Sequence, residues 1–206
     1  MLISAKMLKM RELRASLLPP LIAARLGTDE FAAHNIGMNL LGLGFSFADG
    51  MQVAAIALTG ESLGAGEKEK ARQQAGICQR IGFFISLVLS VILLFGGRWI
   101  FSFYFKEDHI LDMGVLICRF MTVIILLQIS QIIFTGTLRA AGDVRYTLVV
   151  ALISVTFIRT VVTFLLVVGF KLGLTGVWIG ILSDQCSRFC FMGHRFRQGK
   201  WVNLHI

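Results

Sequence analysis

FAAHNIGMNLLGLGFSFADGMQVAAIAL, Phe31 to Leu58, holds a single acid, Asp49, and no Lys or Arg. At a rise of about 1.5 Å per residue such a run crosses a hydrocarbon layer of about 30 Å with some tilt. Four further apolar runs follow: Ile81 to Phe105, broken near its end by Gly96, Gly97 and Arg98, then Ile110 to Leu138, Tyr146 to Phe170 and Leu174 to Met192. In lipid every backbone polar group needs an internal partner, which leaves helices and closed barrels. These runs are too long and too evenly apolar for the alternating strands of a barrel. Five spanning helices are predicted.

The composition agrees. Hydrophobic residues make up 56% of the 206 and charged residues 16%, with a mean hydropathy of +0.76. A soluble domain averages about 45–50% and about 25%. A chain of 22.8 kDa cannot bury that excess inside a globule. A soluble enzyme, a disordered chain and a disulfide-stapled secreted domain are excluded.

Before the first long run, Lys6, Lys9, Arg11 and Arg14 precede a short apolar stretch, Leu17 to Leu26, containing Pro19 and Pro20. No small-residue cleavage site accompanies it, so it reads as a curtailed sixth span rather than a signal peptide. Residues 1–16 are then a basic segment, 17–196 the transmembrane part (spans near 17–26, 31–58, 81–105, 110–138, 146–170 and 174–192) and 197–206 a tail. With six spans and the N-terminus inside, 14 of the 20 Lys and Arg fall on the cytoplasmic side and 4 outside, leaving Arg119 and Arg159 within the membrane. Short cytoplasmic loops carry the excess of Lys and Arg, so both termini are expected to be cytoplasmic in a multi-pass cell-membrane protein. The net charge of +8 then needs no nucleic-acid partner.

Polar residues within spans are costly and face a cavity or another helix. Asn35, Asn39, Gly42, Ser46 and Asp49 are spaced by four, three, four and three, which places them along one helix face. The stripe reads as a water-accessible surface or as a helix–helix seam. Gln128, Gln131, Thr135 and Arg139 form a similar face on the third long run, and Arg119 on that run snorkels outward. Mid-span Arg159 requires an acid or carbonyl partner and reads as an anchor between helices. Asp184 and Arg188 form an i,i+4 pair with the acid first, the favourable order.

Catalytic chemistry has no signature here. HExxH, GxSxG and a phosphate loop ending in GK[ST] are absent from the sequence, and the four His are scattered. Cys78, Cys118, Cys186 and Cys190 lack CxxC spacing and read as packing residues. GESLGAG, Gly60 to Gly66, follows a membrane helix rather than a strand, so a tight turn is preferred to a nucleotide loop.

Five strings now stand in order: GTDEFAAHNIGMNL (Gly27 to Leu40), GESLGAGEKEKA (Gly60 to Ala71), GTLRAAGDVRY (Gly136 to Tyr146), GLTGVWIG (Gly173 to Gly180) and GKW (Gly199 to Trp201). Together, over about 175 residues, they resemble the multidrug and toxic compound extrusion (MATE) transporters. The resemblance implies an all-α membrane fold of two six-helix lobes around a substrate cavity. This chain resembles the second lobe, helices seven to twelve, with the first of them curtailed. An acid often found early in the seventh helix has no counterpart, and Glu61 replaces the glutamine of the family's GQxLGAG turn. Counting back from Asp143, Gln128 stands where some relatives carry a cation-binding carboxylate. A neutral amide there coordinates a cation weakly and exchanges no proton.

The implied activity is export of small organic cations or drug-like compounds against an inward flow of protons or sodium ions. No cofactor and no enzymatic step are implied. Membrane lipids and an N-terminal lobe are the implied partners. A carboxylate in a low-dielectric cavity couples two fluxes because proton and cationic substrate compete for it. Asp49, expected to face the interior of the bundle near the third long run, is the principal titratable candidate. Asn35, Asn39, Ser46, Gln128, Gln131 and Thr135 are expected to line the cavity around it. A single lobe cannot enclose that cavity, so the isolated chain is expected to be inactive, a fragment or partial product. Two other readings stay open: a lipid-linked saccharide flippase using Arg119 and Arg159, and a non-transporting module that only packs or assembles.

Overall fold

The computed structural model describes residues 27–203; the short span near 17–26, the basic segment 1–16 and the last three residues lie outside the described residues. Every regular element described is helical: α1 (Thr28–Gly64), α2 (Lys68–Ser102), α3 (Asp108–Ala140), α4 (Val144–Gly169) and α5 (Gly173–Arg197), closed by a 3₁₀ turn, Lys200–Asn203. The five predicted runs are these five helices. The first four are long and apolar enough to cross a membrane by length and composition. α5 has 25 residues but carries Asp184, Arg188 and a basic last turn with His194, Arg195 and Arg197, which dilute its apolar content.

The helices outrun the apolar runs that announced them. α2 begins at Lys68, well before the predicted 81, and ends at Ser102 rather than 105. Apolar residues mark the part of a helix that lies in hydrocarbon; the helix itself continues wherever propensity allows. Lys68 to Arg80 is rich in Lys, Glu, Ala, Arg and Gln, all good helix formers. Gly96, Gly97 and Arg98 interrupt the apolar run, and the helix continues through them. A Cβ at Gly97 would land on Cys118, so the glycine serves a close approach of α2 to α3.

Two of the quoted strings are helix stops. At the end of α1 the Gly66 amide donates to the Leu63 carbonyl and the Glu67 amide to the Ser62 carbonyl, with Gly66 at φ +77°. At the end of α3 the Gly142 amide donates to Arg139 and the Asp143 amide to Leu138, with Gly142 at φ +84°. Both are Schellman endings, in which a left-handed glycine lets the chain turn while satisfying the last carbonyls. GESLGAG therefore holds the last helical residues of α1, Gly60 to Gly64, and the turn at Ala65 and Gly66 that ends it, not a nucleotide loop.

α3 is the central post, packed on α1, α2 and α5. Every residue from Gln128 to Leu138 is buried. Ile117, Met121, Ile124, Ile125 and Ile129 of α3 meet Ala33, Leu41 and Ala48 of α1, Phe101 of α2 and Trp178 and Ile181 of α5. Lipid tails are as apolar as these side chains, so close packing rather than escape from water holds the seams. A Cβ at Gly82 would strike Ile133, and one at Gly114 would strike Phe101. A second cluster sits by the 65–67 and 141–143 turns. There Trp201 stacks on Phe196 at 5.5 Å and its indole N–H donates to the Phe196 carbonyl at 3.0 Å.

α4 departs from the uniform helix predicted over 146–170. Ser154–Arg159 and Leu165–Gly169 are π-helical, with the α-helical turn Thr160–Phe164 between them. α5 approaches this irregular stretch closely, with Gly180 against Thr163 and Gly176 against Leu166 and Val167. Inserted residues of this kind re-aim side chains without breaking a helix.

Candidate functional site

On α1 the predicted polar stripe is regular and lies on the outside of the bundle. Asn35, Asn39, Gly42, Ser46 and Asp49 are all exposed, while the intervening Ala33, Leu41, Gly44 and Ala48 are buried. A Cβ added at Gly42 would meet nothing within 4 Å. The stripe is thus no seam between described helices. The expectation that Asp49 points into the bundle interior is corrected: the interior is filled by isoleucines of α3, and the polar face is left outside.

Asp49 nevertheless stands at a cleft of about 140 Å³ between α1, α3, α4 and α5. Gln52, one further step of three along the stripe, lines it and donates from Nε2 to the Ile132 carbonyl at 3.2 Å. α3 supplies Gln131, Thr135 and Arg139, and α5 supplies Arg188. Thr135 donates its hydroxyl proton to the Gln131 carbonyl at 2.7 Å, a bond within its own helix. Arg139 Nε donates to the Thr147 hydroxyl at 3.3 Å, joining the ends of α3 and α4.

The structure therefore brings together Asp49, Gln131 and Thr135, three of the seven predicted residues. Asn35, Asn39 and Ser46 lie outside the cleft, higher on the same exposed face; Ser46 donates to the Gly42 carbonyl at 3.2 Å. Gln128 is separated from all of them. It is fully buried and neither amide atom has a hydrogen-bond partner among the described residues. α3 has neighbours on three sides at this level, so a polar side chain there is enclosed rather than turned to a cavity. Arg139, Gln52, Thr147 and Arg188 were missed as site residues. For Gln52 the spacing was available; for Arg188 no local signal places α5 beside Asp49.

Charge in the cleft is mixed. Asp49 makes no ion pair among the described residues, while Arg188 is gripped by Asp184 through Nε at 2.9 Å and Nη2 at 3.1 Å. The predicted i,i+4 pair is formed, with Asp184 1% exposed. With Arg188 neutralised, Asp49 and Arg139 are the two charges left to act on a ligand. A carboxylate, a guanidinium and an amide on an exposed face can bind and orient a polar organic ion. Nucleophile–base geometry is not present in this cleft, and among the described residues no group of His, Cys, Asp and Glu is placed to hold a metal ion. Arg159 also has no ion pair among the described residues; Asp184, the acid nearest in influence, is already committed to Arg188.

The GTLRAAGDVRY string is accounted for by contacts. Asp143 accepts from Arg195 Nε at 2.7 Å, the Arg195 guanidinium lies 5.2 Å from the Tyr146 ring centre, and Tyr146 donates to the Phe191 carbonyl at 3.0 Å. These contacts lock the α3–α4 turn onto α5.

Comparison with known proteins places this arrangement. The chain is 29% identical over 182 residues to the probable multidrug resistance protein NorM of Thermotoga maritima, covering 85% of this chain and 38% of that protein. It is 26% identical to multidrug and toxin extrusion protein 1 of Pongo abelii, covering 82% of this chain and 30% of that one. The chain thus spans about two-fifths or less of the length of these relatives. Its fold matches an outward-facing multidrug resistance MATE family transporter of the MOP superfamily with a TM-score of 0.87 at 14% identity, over 97% of this chain and 44% of that one. A MOP superfamily transporter from Pyrococcus furiosus, described as having a binding pocket of reverse polarity, matches with a TM-score of 0.84 at 14% identity, over 92% of this chain and 42% of that one. The MatE family profile covers residues 15–165. The chain belongs to the MatE family, a family of multi-pass membrane transporters and not of enzymes.

Proposed function

We propose that this chain is the second lobe of a cation-coupled antiporter that exports organic or drug-like ions, and that it works only with a first lobe. In this reading its helices are the family's eighth to twelfth, preceded by a curtailed seventh, and both termini are cytoplasmic. Protons or sodium ions drive the exchange, with Asp49 as the group for which coupling ion and substrate compete. The observation that carries the reading is the exposed polar face of α1 ending at the Asp49 cleft. A membrane helix keeps such a face only where water or another polar surface meets it.

Dye accumulation in an efflux-deficient host tests the proposal. The chain alone is expected to leave accumulation unchanged; the chain with the first lobe of the Thermotoga maritima relative is expected to restore energy-dependent export. Export by the chain alone at normal membrane levels would contradict the need for a first lobe. Full export by the assembled Asp49→Asn variant would contradict the role of Asp49.

One observation favours a second reading, the transport of lipid-linked saccharides. Arg139, in no ion pair among the described residues, lines the cleft that Arg119 and Arg159 do not, and an anionic pyrophosphate suits an arginine better than an acid. Lipid extraction and mass spectrometry of the purified protein distinguish the two.

A further inference from the structure

We propose that the chain carries a phospholipid site on the opposite flank of α3 from α1, where an acyl chain lies in a slot between α2, α3 and α5 and an anionic headgroup sits on Arg80. The slot has a volume of about 370 Å³ and is walled by Phe83, Leu126, Leu127 and Phe189, with Gln79, Arg80 and Ser130 at its polar edge. That volume falls in the range of ligand pockets, and its walls suit a hydrocarbon chain.

Position and charge decide the occupant. Arg80 immediately precedes the apolar run of α2, so it stands at the hydrocarbon boundary with the slot on the membrane side. It is exposed and joins none of the ion pairs among the described residues. Arg80 also lines a second hollow with Arg72 and Glu69, and Arg72 lines a third with Arg197. Three hollows thus run in sequence from an apolar slot to a cationic surface. Glu69 offsets part of that charge through its 3.8 Å pair with Arg72, leaving Arg80 and Arg197 as uncompensated cations. Basic pockets at the boundary between membrane helices suit anionic headgroups, and a guanidinium can grip two phosphate oxygens at once. Inside the slot, the Gln79 Oε1 atom is buried without a hydrogen-bond partner among the described residues. A headgroup hydroxyl is a donor of the kind it lacks. A neutral lipid fits the slot equally well but gains nothing from the cationic run, so the occupant is an anionic phospholipid.

Native mass spectrometry of the full chain in detergent tests this, using equal amounts of dioleoyl phosphatidylglycerol and dioleoyl phosphatidylcholine. The acyl chains are identical, so the ratio retained reads the headgroup alone. The wild-type chain is expected to retain the anionic lipid in clear excess. Arg80→Gln should cut that preference about fivefold, the effect of about 1 kcal/mol for one cation near a membrane surface. Arg80→Lys should keep most of it. Leu127→Trp, which fills the slot, should lower retention of both lipids, and Lys171→Gln, at the other end of the bundle, should change neither. Equal retention of the two lipids by the wild type would overturn the proposal, as would an undiminished preference in Arg80→Gln. Displacement of the lipid by a tenfold excess of glycerol phosphate would also overturn it, since a surface anion site then suffices. Helix content by circular dichroism identifies any variant that fails to fold, and the ratio of the two lipids retained by the wild type then carries the test.

Discussion

The outer faces of α1 and α2 are both exposed and have opposite chemistry. Along α2 the outward residues from Phe83 to Phe95 are Phe83, Phe84, Leu87, Val88, Val91, Ile92, Leu94 and Phe95, with no polar side chain among them. Along α1 an equally long face carries Asn35, Asn39, Gly42, Ser46 and Asp49. A helix facing lipid has no water to solvate polar groups, so the α2 face is the one built for lipid. The α1 face is built for a wet cavity or a second protein surface. Exposure alone therefore does not distinguish lipid from cavity in a membrane protein; the composition of the exposed face does.

The contrast breaks most visibly if a charge is exchanged between the faces. Val91→Asp, placed mid-span on the α2 face, should reduce membrane insertion by about 3 kcal/mol, the cost of an aspartate at a helix centre. Ser46→Asp should cost under about 1 kcal/mol if that exposed face meets water. Insertion and folding assays on the glycosylation-tagged full chain with a first lobe supplied measure both, and equal penalties would erase the distinction.

A smaller effect sharpens the role of the α1 face. With a first lobe supplied, Asp49→Asn should lower transport about tenfold, worth about 1.4 kcal/mol, with no change in thermal stability. Asp184→Asn should do the reverse, lowering stability because it leaves Arg188 without its buried partner. Transport and melting curves at matched expression separate the two. Equal loss of transport at equal stability would return the stripe to a merely structural seam.

The smallest expected effect lies at the far end of α2. Arg98 bridges Asp108 at 2.8 Å and Asp112 at 3.0 Å, all three largely exposed. Arg98→Gln should cost no more than about 1 kcal/mol, as exposed pairs do, and should leave transport intact. A larger loss would show that the α2–α3 turn takes part in the motion of the lobe.

The helices were legible because hydrocarbon demands long apolar runs, and the turns because GAG and AAGD supply a left-handed glycine after a helix. The Asp184–Arg188 pair was legible for a similar reason: an i,i+4 spacing is local. What failed was non-local. Gln128 shares a helical face with Gln131 by spacing, yet α3 is enclosed by α1, α2 and α5, so the same face passes from core to cleft within one turn. Arg188 reaches the cleft only because α5 packs on α3, which no periodicity in either helix states. The π-helical turns of α4 were invisible because a shift in hydrogen-bond register leaves no trace in composition. Asp49 lines the cleft but is exposed rather than interior. The stripe predicted its face, while burial depended on whether another element covers that face.

Water accessibility of the two faces in the membrane tests the central claim most directly. In a background with Cys78, Cys118, Cys186 and Cys190 replaced, single cysteines at Asn39, Ser46, Val88 and Ile92 would be exposed to a membrane-impermeant maleimide in open membrane fragments. The account predicts rapid labelling at Asn39→Cys and Ser46→Cys and slow labelling at Val88→Cys and Ile92→Cys, with a first lobe slowing the α1 sites only when substrate is present. Labelling of the α1 sites as slow as that of the α2 sites, with or without a first lobe, would mean that the polar face meets no water, and would contradict the account.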